Sequence, residues 1–396
     1  MASSQGINKV VTYKKEVTWG TKPSSSGGQA LRRVTGSFQL EKDTYASNEI
    51  LASQQVRDMR HGTRRSSGAL SGELSGAAYA DFIAAALRKD FAAGGTTGTL
   101  TTLASTAVAV TRASGSFVSD GFKVGDVVNI TGFVAAGNNG LFVVKTVASG
   151  TLTVVALAGQ TRVIEAAGAT VTVAVKGKKT YVPTSGHTDD SFTFEEWYAD
   201  TTISRTFLGQ QVDTMALALQ PNAMATIDFG FMGKDAEAPT SSQYFTSPTA
   251  ITGNGIYSAP DGLLLIDGVA NGVVTGLNIN IANNIAQEAV IGSNSIGAKS
   301  RGKVSVTIDG SAIFEDTTVL NYFDAESEVS LTYVLLSADN TNAFVVHMPR
   351  VKIGSASTDD GEKVVILSFN GTALEYTGAT NGVEATTIQI QDTTLV

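Results

Sequence analysis

Cysteine is absent from the 396-residue chain, proline occurs 7 times, histidine 3 times, and charged residues make up only 16% of the sequence. Without a thiol there is no disulfide, no thiolate nucleophile and no sulfur-ligated zinc, and a small secreted fold stapled by disulfides is excluded. An average soluble domain carries about 25% charged residues. The shortfall here is filled by 41 Gly together with Thr, Ser, Ala and Val. Such a mixture favours strands and turns, because β-branched side chains fit a pleated surface and Gly supplies positive φ at reversals. A hydrophobic fraction of 42% excludes a disordered chain, and this length allows two or three domains.

Positive charge is also short. Lys and Arg total 28 against 36 Asp and Glu, a formal charge of −8, which gives no electrostatic capture of nucleic acid or anionic lipid. The opening stretch MASSQGINKVVTYKK lacks the apolar run of roughly 7 to 15 residues of a signal peptide. No segment approaches the ~18 apolar residues of a membrane span. The chain is therefore expected to be made and kept in a cytoplasm, or to leave it by a route other than secretion, with no membrane partner.

Catalytic constellations are missing as well. His61, His187 and His347 stand far apart, so no helix-borne metal pair is possible. There is no Gly-x-Ser-x-Gly elbow in a strand-to-helix context, no Walker loop and no dinucleotide fingerprint after a strand. Glu195-Glu196 beside Trp197 could suggest the carboxylate pair of a glycosidase. Adjacent strand residues point to opposite faces, however, and one solvated with one partly buried acid is the expectation. No catalytic residue, metal or cofactor is assigned, and the protein is read as not an enzyme.

What is present is period-two alternation, as in Val329, Leu331, Tyr333 and Leu335 or Ile227, Phe229 and Phe231, which marks half-buried strands. Only two stretches have helical spacing: Tyr79, Phe82, Ile83 and Leu87 after a candidate Ser75 cap, and Val319, Leu320 and Phe323 after Asp316. A faint internal repeat joins these elements. Val34-Thr35-Gly36 recurs as Val274-Thr275-Gly276 and Gly62 as Gly302, both 240 residues on, while Ile227 to Gly233 resembles Val365 to Gly371 at an offset of 138. Phe38 and Leu40 run one step out of phase with Leu277, Ile279 and Ile281, so a one-residue slip is assumed there.

The change in offset implies that the first half carries an insertion. We place it at 92–184, from the Gly/Thr-rich FAAGGTTGTLTTL to the loop Thr184-Ser185-Gly186, and its evenly spaced short strands read as a small barrel-like domain. From Gly95 to Thr180 it carries seven Lys/Arg against three Asp/Glu, leaving −12 for the rest. Lys176, Lys178 and Lys179 are expected to be a solvated stem. The most charged spot is Arg57 to Arg65, with Arg57, Arg60, His61, Arg64 and Arg65 as candidate contact residues. Guanidinium forks match phosphate or carboxylate, and in an acidic chain the carboxylates of a neighbouring subunit are the preferred targets. The matching loop of the second half, Ser293 to Arg301, keeps only Lys299 and Arg301.

Four strings resemble one family: Gln29 to Val34, Lys42 to Ile50, Arg60-His61-Gly62 with Gly72 to Leu87, and Ser191 to Tyr198 with Met224 to Gly233. Over residues 10–91 and 185–240 the chain resembles the tail tube, or major tail, proteins of long-tailed bacteriophages. The likeness is weak over the second half and absent from the insertion. The resemblance implies a β-sandwich flanked by a helix, strands closing with those of neighbours into a ring, and rings stacked into a conduit for genome DNA. It also implies a place in the virion tail, assembly in the host cytoplasm, and other tail proteins (terminator, tape measure, distal tail) as partners.

The fold expected is thus all-β: two tandem β-sandwich tail-tube modules, each with a short flanking helix, at 1–91 with 185–250 and at 251–396, plus the inserted barrel-like domain as an outward-facing decoration. Two modules per chain imply three chains in a pseudo-sixfold ring. DNA would pass transiently and without specificity through an acidic bore. Ring-to-ring contact is expected from the arginine loop and from an N-terminal arm, residues 1–21. The competing readings are an adhesin or capsid-decoration protein with tandem β domains, and a surface-polysaccharide hydrolase.

Overall fold

The alternating stretches form antiparallel strands in the computed structural model, which describes residues 3–396 save 158, 273, 316, 361, 363 and 379–381. The fold is all-β, and among the described residues no helix is long and apolar enough to cross a membrane. In the first half run β1 (Lys9–Lys15), β2 (Gln29–Ala30), β3 (Thr35–Ala46), β4 (Met59–Glu73), α1 (Ala80–Leu87) and β5 (Ala92–Ala93). The inserted stretch supplies β6 (Thr96–Leu100), β7 (Leu103–Ser105), β8 (Ala109–Arg112), β9 (Val127–Thr131), β10 (Gly140–Val147), β11 (Thr151–Ala156) and β12 (Val171–Val175). The chain then returns through β13 (Lys178–Tyr181), β14 (Phe192–Tyr198), β15 (Ile203–Leu219), β16 (Thr226–Gly233) and β17 (Asp235–Ala236).

The second half contains β18 (Gly262–Ile266), β19 (Val269–Asn271), β20 (Val274–Ala282), β21 (Ile285–Glu288), β22 (Ala298–Arg301) and β23 (Ser305–Ile313). After α2 (Thr318–Asp324) come β24 (Glu328–Leu336), β25 (Ala343–Thr358), β26 (Ile366–Ala373) and β27 (Gln389–Asp392). Strands of the first half pair in the order β1-β14-β15-β16-β4-β3. Those of the second half pair as β18-β24-β25-β26-β23-β20. The two orders are the same, with each helix following β4 or β23.

Irregularities in the ladders fix the correspondence residue by residue. The β14–β15 register jumps between Phe192 and Phe194, and β24–β25 between Val329 and Leu331. Likewise β15–β16 jumps after Val212 and β25–β26 after Ile353. Phe192 therefore matches Val329, Val212 matches Ile353, and Phe229 matches Phe369. That corrects the sequence match of Gly233 with Gly371 by two residues; a step of two keeps the same face, so the alternation could not reveal it. The slip assumed near Phe38 is a β-bulge between Val274 and Gly276, beyond which Phe38 matches Ile279.

β15 and β25 each belong to two layers. Their first parts pair with β14 and β24 in outer sheets, and their second parts lie in an inner eight-stranded sheet, half of a barrel, ordered β3-β4-β16-β15-β20-β23-β26-β25. In β15 the crossing is at Gly209, whose φ of 70° and crowding by Lys234 and Trp19 leave no room for a Cβ. Between the layers the first half is filled by aromatic rings. Phe38 stacks on Phe194 at 4.4 Å, and Phe82 of α1 lies within 5.1 to 5.6 Å of Phe192, Phe194, Phe229 and Phe231. Ile279, Ile308, Leu331, Val346 and Met348 fill the second half. Ser75 is not the cap of α1: the helix starts after Tyr79 without a side-chain cap, and Ser75 is buried opposite Ile256. The proposed cap of α2, Asp316, lies outside the described residues.

The inserted sheet, β6-β12-β9-β10-β11-β8-β7, wraps its own core of Leu103, Val110, Phe117, Phe122, Val128 and Phe142. Its opposite face presents Val127, Leu141 and Val143, which pack on Leu265, Val334, Ala343 and Val345 of the second half. This explains the continuous apolar run Leu141–Val144 in β10, whose two faces are both covered. Rather than being a solvated stem, β13 pairs with β27 and β5. Lys179 is buried in an ion pair with Asp126 at 2.6 Å, with the Gln389 amide donating to the same carboxylate at 2.8 Å. Lys176 and Lys178 donate to the carbonyls of Thr341 and Val396. A lysine paired in space with an acid 53 positions away in sequence leaves no local signal.

Candidate assembly surface

Alternation gives the inner sheet two unlike faces. One lies on the core. The other is lined by small polar side chains, including Ser37, Gln39, Ser67, Ser71, Thr214, Asn278, Asn280, Thr307, Ser355, Ser357, Ser368 and Asn370, whose neighbours along each strand are mostly the buried ones. Its acids are Glu41, Glu73, Asp228 and Asp309. The Ser67 hydroxyl, with Gln39 and Arg65, holds the Glu41 carboxyl below the usual carboxylate range, so that charge persists in mild acid.

The halves are joined by a strand pair. β20 lies antiparallel on the second part of β15, from Thr214 opposite Ala282 to Leu219 opposite Leu277. Asn283, fully buried, donates its amide to the carbonyls of Ala86 at the end of α1 (3.1 Å) and Val212 (3.2 Å). Asp213 accepts from the Ile285 N–H at 2.8 Å. The matching positions at the two ends of the inner sheet are open. Among the described residues β3 pairs with β4 alone, and β25 beyond Lys352 pairs with β26 alone. At Phe38 and Gly36 the edge of β3 is met by the Glu196–Lys9 ion pair, the Phe38 N–H donating to Glu196 at 3.1 Å and the Gly36 carbonyl accepting from Lys9 at 2.8 Å. Past them the outward ladder groups of β3, like those of β25 beyond Lys352, have no strand partner among the described residues. Sequence reasoning missed Asn283 and Asp213; the one available signal was Asn283-Asn284 interrupting an alternating run.

The five candidate contact residues do not form a loop. Arg57 does lie in the β3–β4 connection, 3.8 Å from Glu49, but Arg60, His61, Arg64 and Arg65 are on β4. Arg64 is held by Asp235 at 2.7 Å, and Arg65 by Glu41 and Asp43 at 3.0 Å each. Arg57, Arg60 and His61 are exposed, with Arg60 3.3 Å from Asp58. In the second half, Lys299 and Arg301 reach Asp189 at 2.7 and 3.1 Å.

Residues 9–15 of the expected N-terminal arm are strand β1, paired along its length with β14; Ser4 and Gln5 are tied to Asp200, and Met1 and Ala2 lie outside the described residues. Glu195 and Glu196 are both buried, against the expectation of one solvated acid. Glu195 accepts from the N–H groups of Tyr244 and Phe245, and Glu196 pairs with Lys9 at 2.6 Å. Strand orientation separates their faces, but the outer sheet is covered on both, so burial follows and each carboxylate is consumed by fixed donors. His347 is buried with Nδ1 2.8 Å from the Thr332 hydroxyl, while His61 and His187 are exposed. Among the described residues no group of three His, Asp or Glu could hold a metal.

A family model described as phage tail tube protein matches residues 6–373, which spans both halves and the insertion. No curated protein matches the sequence.

Proposed function

The chain belongs to the phage tail tube protein family, a structural component of the virion tail that self-assembles, and from that premise we propose that three copies close into a ring by repeating between chains the strand pairing that joins their halves. The two halves, 1–91 with 185–250 and 251–396, are two copies of one tube module, and 92–184 is an insertion into the first. The single observation carrying this is the β15–β20 seam. Transferring its register to the open ends sets Ser355 of one copy opposite Glu41 of the next, Ala356 opposite Leu40, Ser357 opposite Gln39 and Thr358 opposite Phe38. The free ladder groups of each end are then satisfied by the other, with Glu196 giving up the Phe38 N–H, and six four-stranded segments, two per chain, close one β-barrel.

Rings stack into a tube, with the terminator, tape measure and distal tail proteins as partners at its ends and along its length. The small polar face lines the bore. Its acids repel phosphate, and Ser, Thr and Asn offer no aromatic platform for bases, so DNA slides instead of being held through counterion release. The insertion sits outside. No chemistry is assigned: among the described residues no group of three His, Asp or Glu could hold a metal, and the adjacent acids Glu195 and Glu196 are taken by fixed donors.

Negative-stain electron microscopy and native mass spectrometry of the purified protein test this. Rings or tubes with six inner segments and the mass of three chains per ring are expected. Monomers at high concentration, without annular particles, would remove the reading.

A further inference from the structure

The distal part of the β3–β4 hairpin has a covered twin within the same chain. Thr44 pairs with His61 and Tyr45 with Arg60, as Ile285 pairs with Arg301 and Ala286 with Ser300 in the β21–β22 hairpin. The twin is clasped to the first half. Lys299 and Arg301 meet Asp189, the Gln287 amide donates to the Gly233 carbonyl at 3.0 Å, and the Asn294 carbonyl accepts from the Arg64 N–H at 2.8 Å. Its Ile296 is 4% exposed, whereas Val56, which like Ile296 stands three residues before the returning strand's matching residue, is 73% exposed.

The surface that holds the twin also recurs. Gln211 donates to Asp189 at 2.9 Å; its counterpart on β25 is Lys352, which donates to Glu326 at 2.7 Å. Asp189 and Glu326 each stand three residues before the matched pair Phe192 and Val329. Beside Lys352 and Arg350, the side chains of Glu326 and Glu328 remain 76% and 43% exposed. On the β3–β4 hairpin the side chains of Arg57 and Arg60 are 69% and 84% exposed.

We propose that residues 44–61 of one copy seat on the second half of the neighbouring copy, around Glu326 and Lys352, as residues 285–301 seat around Asp189 within the chain. This rests on the ring proposed above and gives the arginines a lateral role within a ring in place of a ring-to-ring one. The partner is a second copy of this chain, recognised by guanidinium groups against two carboxylates and by Val56 gaining the cover that Ile296 has.

In the chain, Ser295 lies beside Arg64; the transferred contact sets Gln55 of one copy beside Val304 of the next. The sequence has no cysteine, so introduced thiols report without background. Purified Gln55→Cys/Val304→Cys protein, assembled and then oxidised, is expected to give covalent dimers and trimers that reduction dissolves, with neither single variant doing so. A Gln39→Cys/Ser357→Cys protein reports the ring edge separately. If that pair links and Gln55/Val304 does not, the seat is wrong and the ring stands. If neither pair links, the ring reading falls and takes the seat with it. As a second measurement, Arg57→Glu/Arg60→Glu should impair assembly and Glu326→Lys/Glu328→Lys in the same chain should restore it; impairment without restoration overturns the charge pairing.

Discussion

The two halves pair their strands identically and differ in what covers them. In the first half the open flank of β15 is closed by β20, α1 buries six consecutive side chains from Phe82 to Leu87, and Asn283 caps its last turn. In the second half, among the described residues, the matching flank of β25 is bare and no side chain of α2 is fully buried, with Phe323 39% exposed. The same contrast divides Ile296 from Val56. A patch that looks like a defect in one half is covered in the other, and that contrast is a stronger warrant for the proposed interface than exposure alone.

Replacing Phe82 by Ala should cost about 3–5 kcal/mol, as for a buried ring in a packed cluster, whereas Phe323→Ala should cost about 1 kcal/mol or less in the unassembled chain. Urea unfolding of both variants measures this, and equal losses would erase the difference between the helices. A slightly smaller effect is expected from Asp126→Asn, which leaves Lys179 buried beside a neutral amide and should lower stability by about 3 kcal/mol. The loss should appear as faster proteolysis at the insertion's roots, near 94 and 177. An unchanged digestion pattern would mean that the insertion does not depend on the second half.

His347 sharpens the comparison further, because the first half has Thr206 at the matching position. Burial first, and then the nearby Lys179 cation, push the imidazole down to about 4. The unfolded chain therefore binds a proton that the folded one refuses between pH 6.5 and 4. Stability from this group is complete above the unfolded value and falls as pH drops through that window, by about 2–3 kcal/mol. A His347→Thr chain should lose that slope in thermal unfolding across pH 4 to 7, and an unaltered slope would assign the acid sensitivity elsewhere. The smallest effect expected is that of Arg57→Glu/Arg60→Glu: no change in unfolding of the free chain, but roughly a tenfold rise in the concentration for half-assembly. Light scattering across a dilution series reads it directly, and any loss of monomer stability would show that the hairpin serves its own half.

Much of this architecture is legible in the residues. Period-two runs mark the strands, Val274 and Gly302 mark the repeat, and even the slip near Phe38 corresponds to a real bulge. The aromatic filling of the first half hides the kinship of the second, since Phe38, Phe194 and Phe207 are matched by Ile279, Leu331 and Met348. Long-range partners were out of reach for a physical reason. Whether Lys179 is solvated or buried depends on Asp126 across a turn of sheet, and whether Arg60 sits in a loop or a strand depends on Tyr45 opposite it; neither relation has a periodicity.

Carrying both halves on one chain, already joined at the β15–β20 seam, changes the order of the assembly reaction. Half of the joints in the proposed annulus form while each chain folds, at an effective concentration no solution of separate modules could match. Closure would thus scale with the third power of chain concentration where unlinked modules would require the sixth, so that rings should appear at lower abundance, and less abruptly, during an infection.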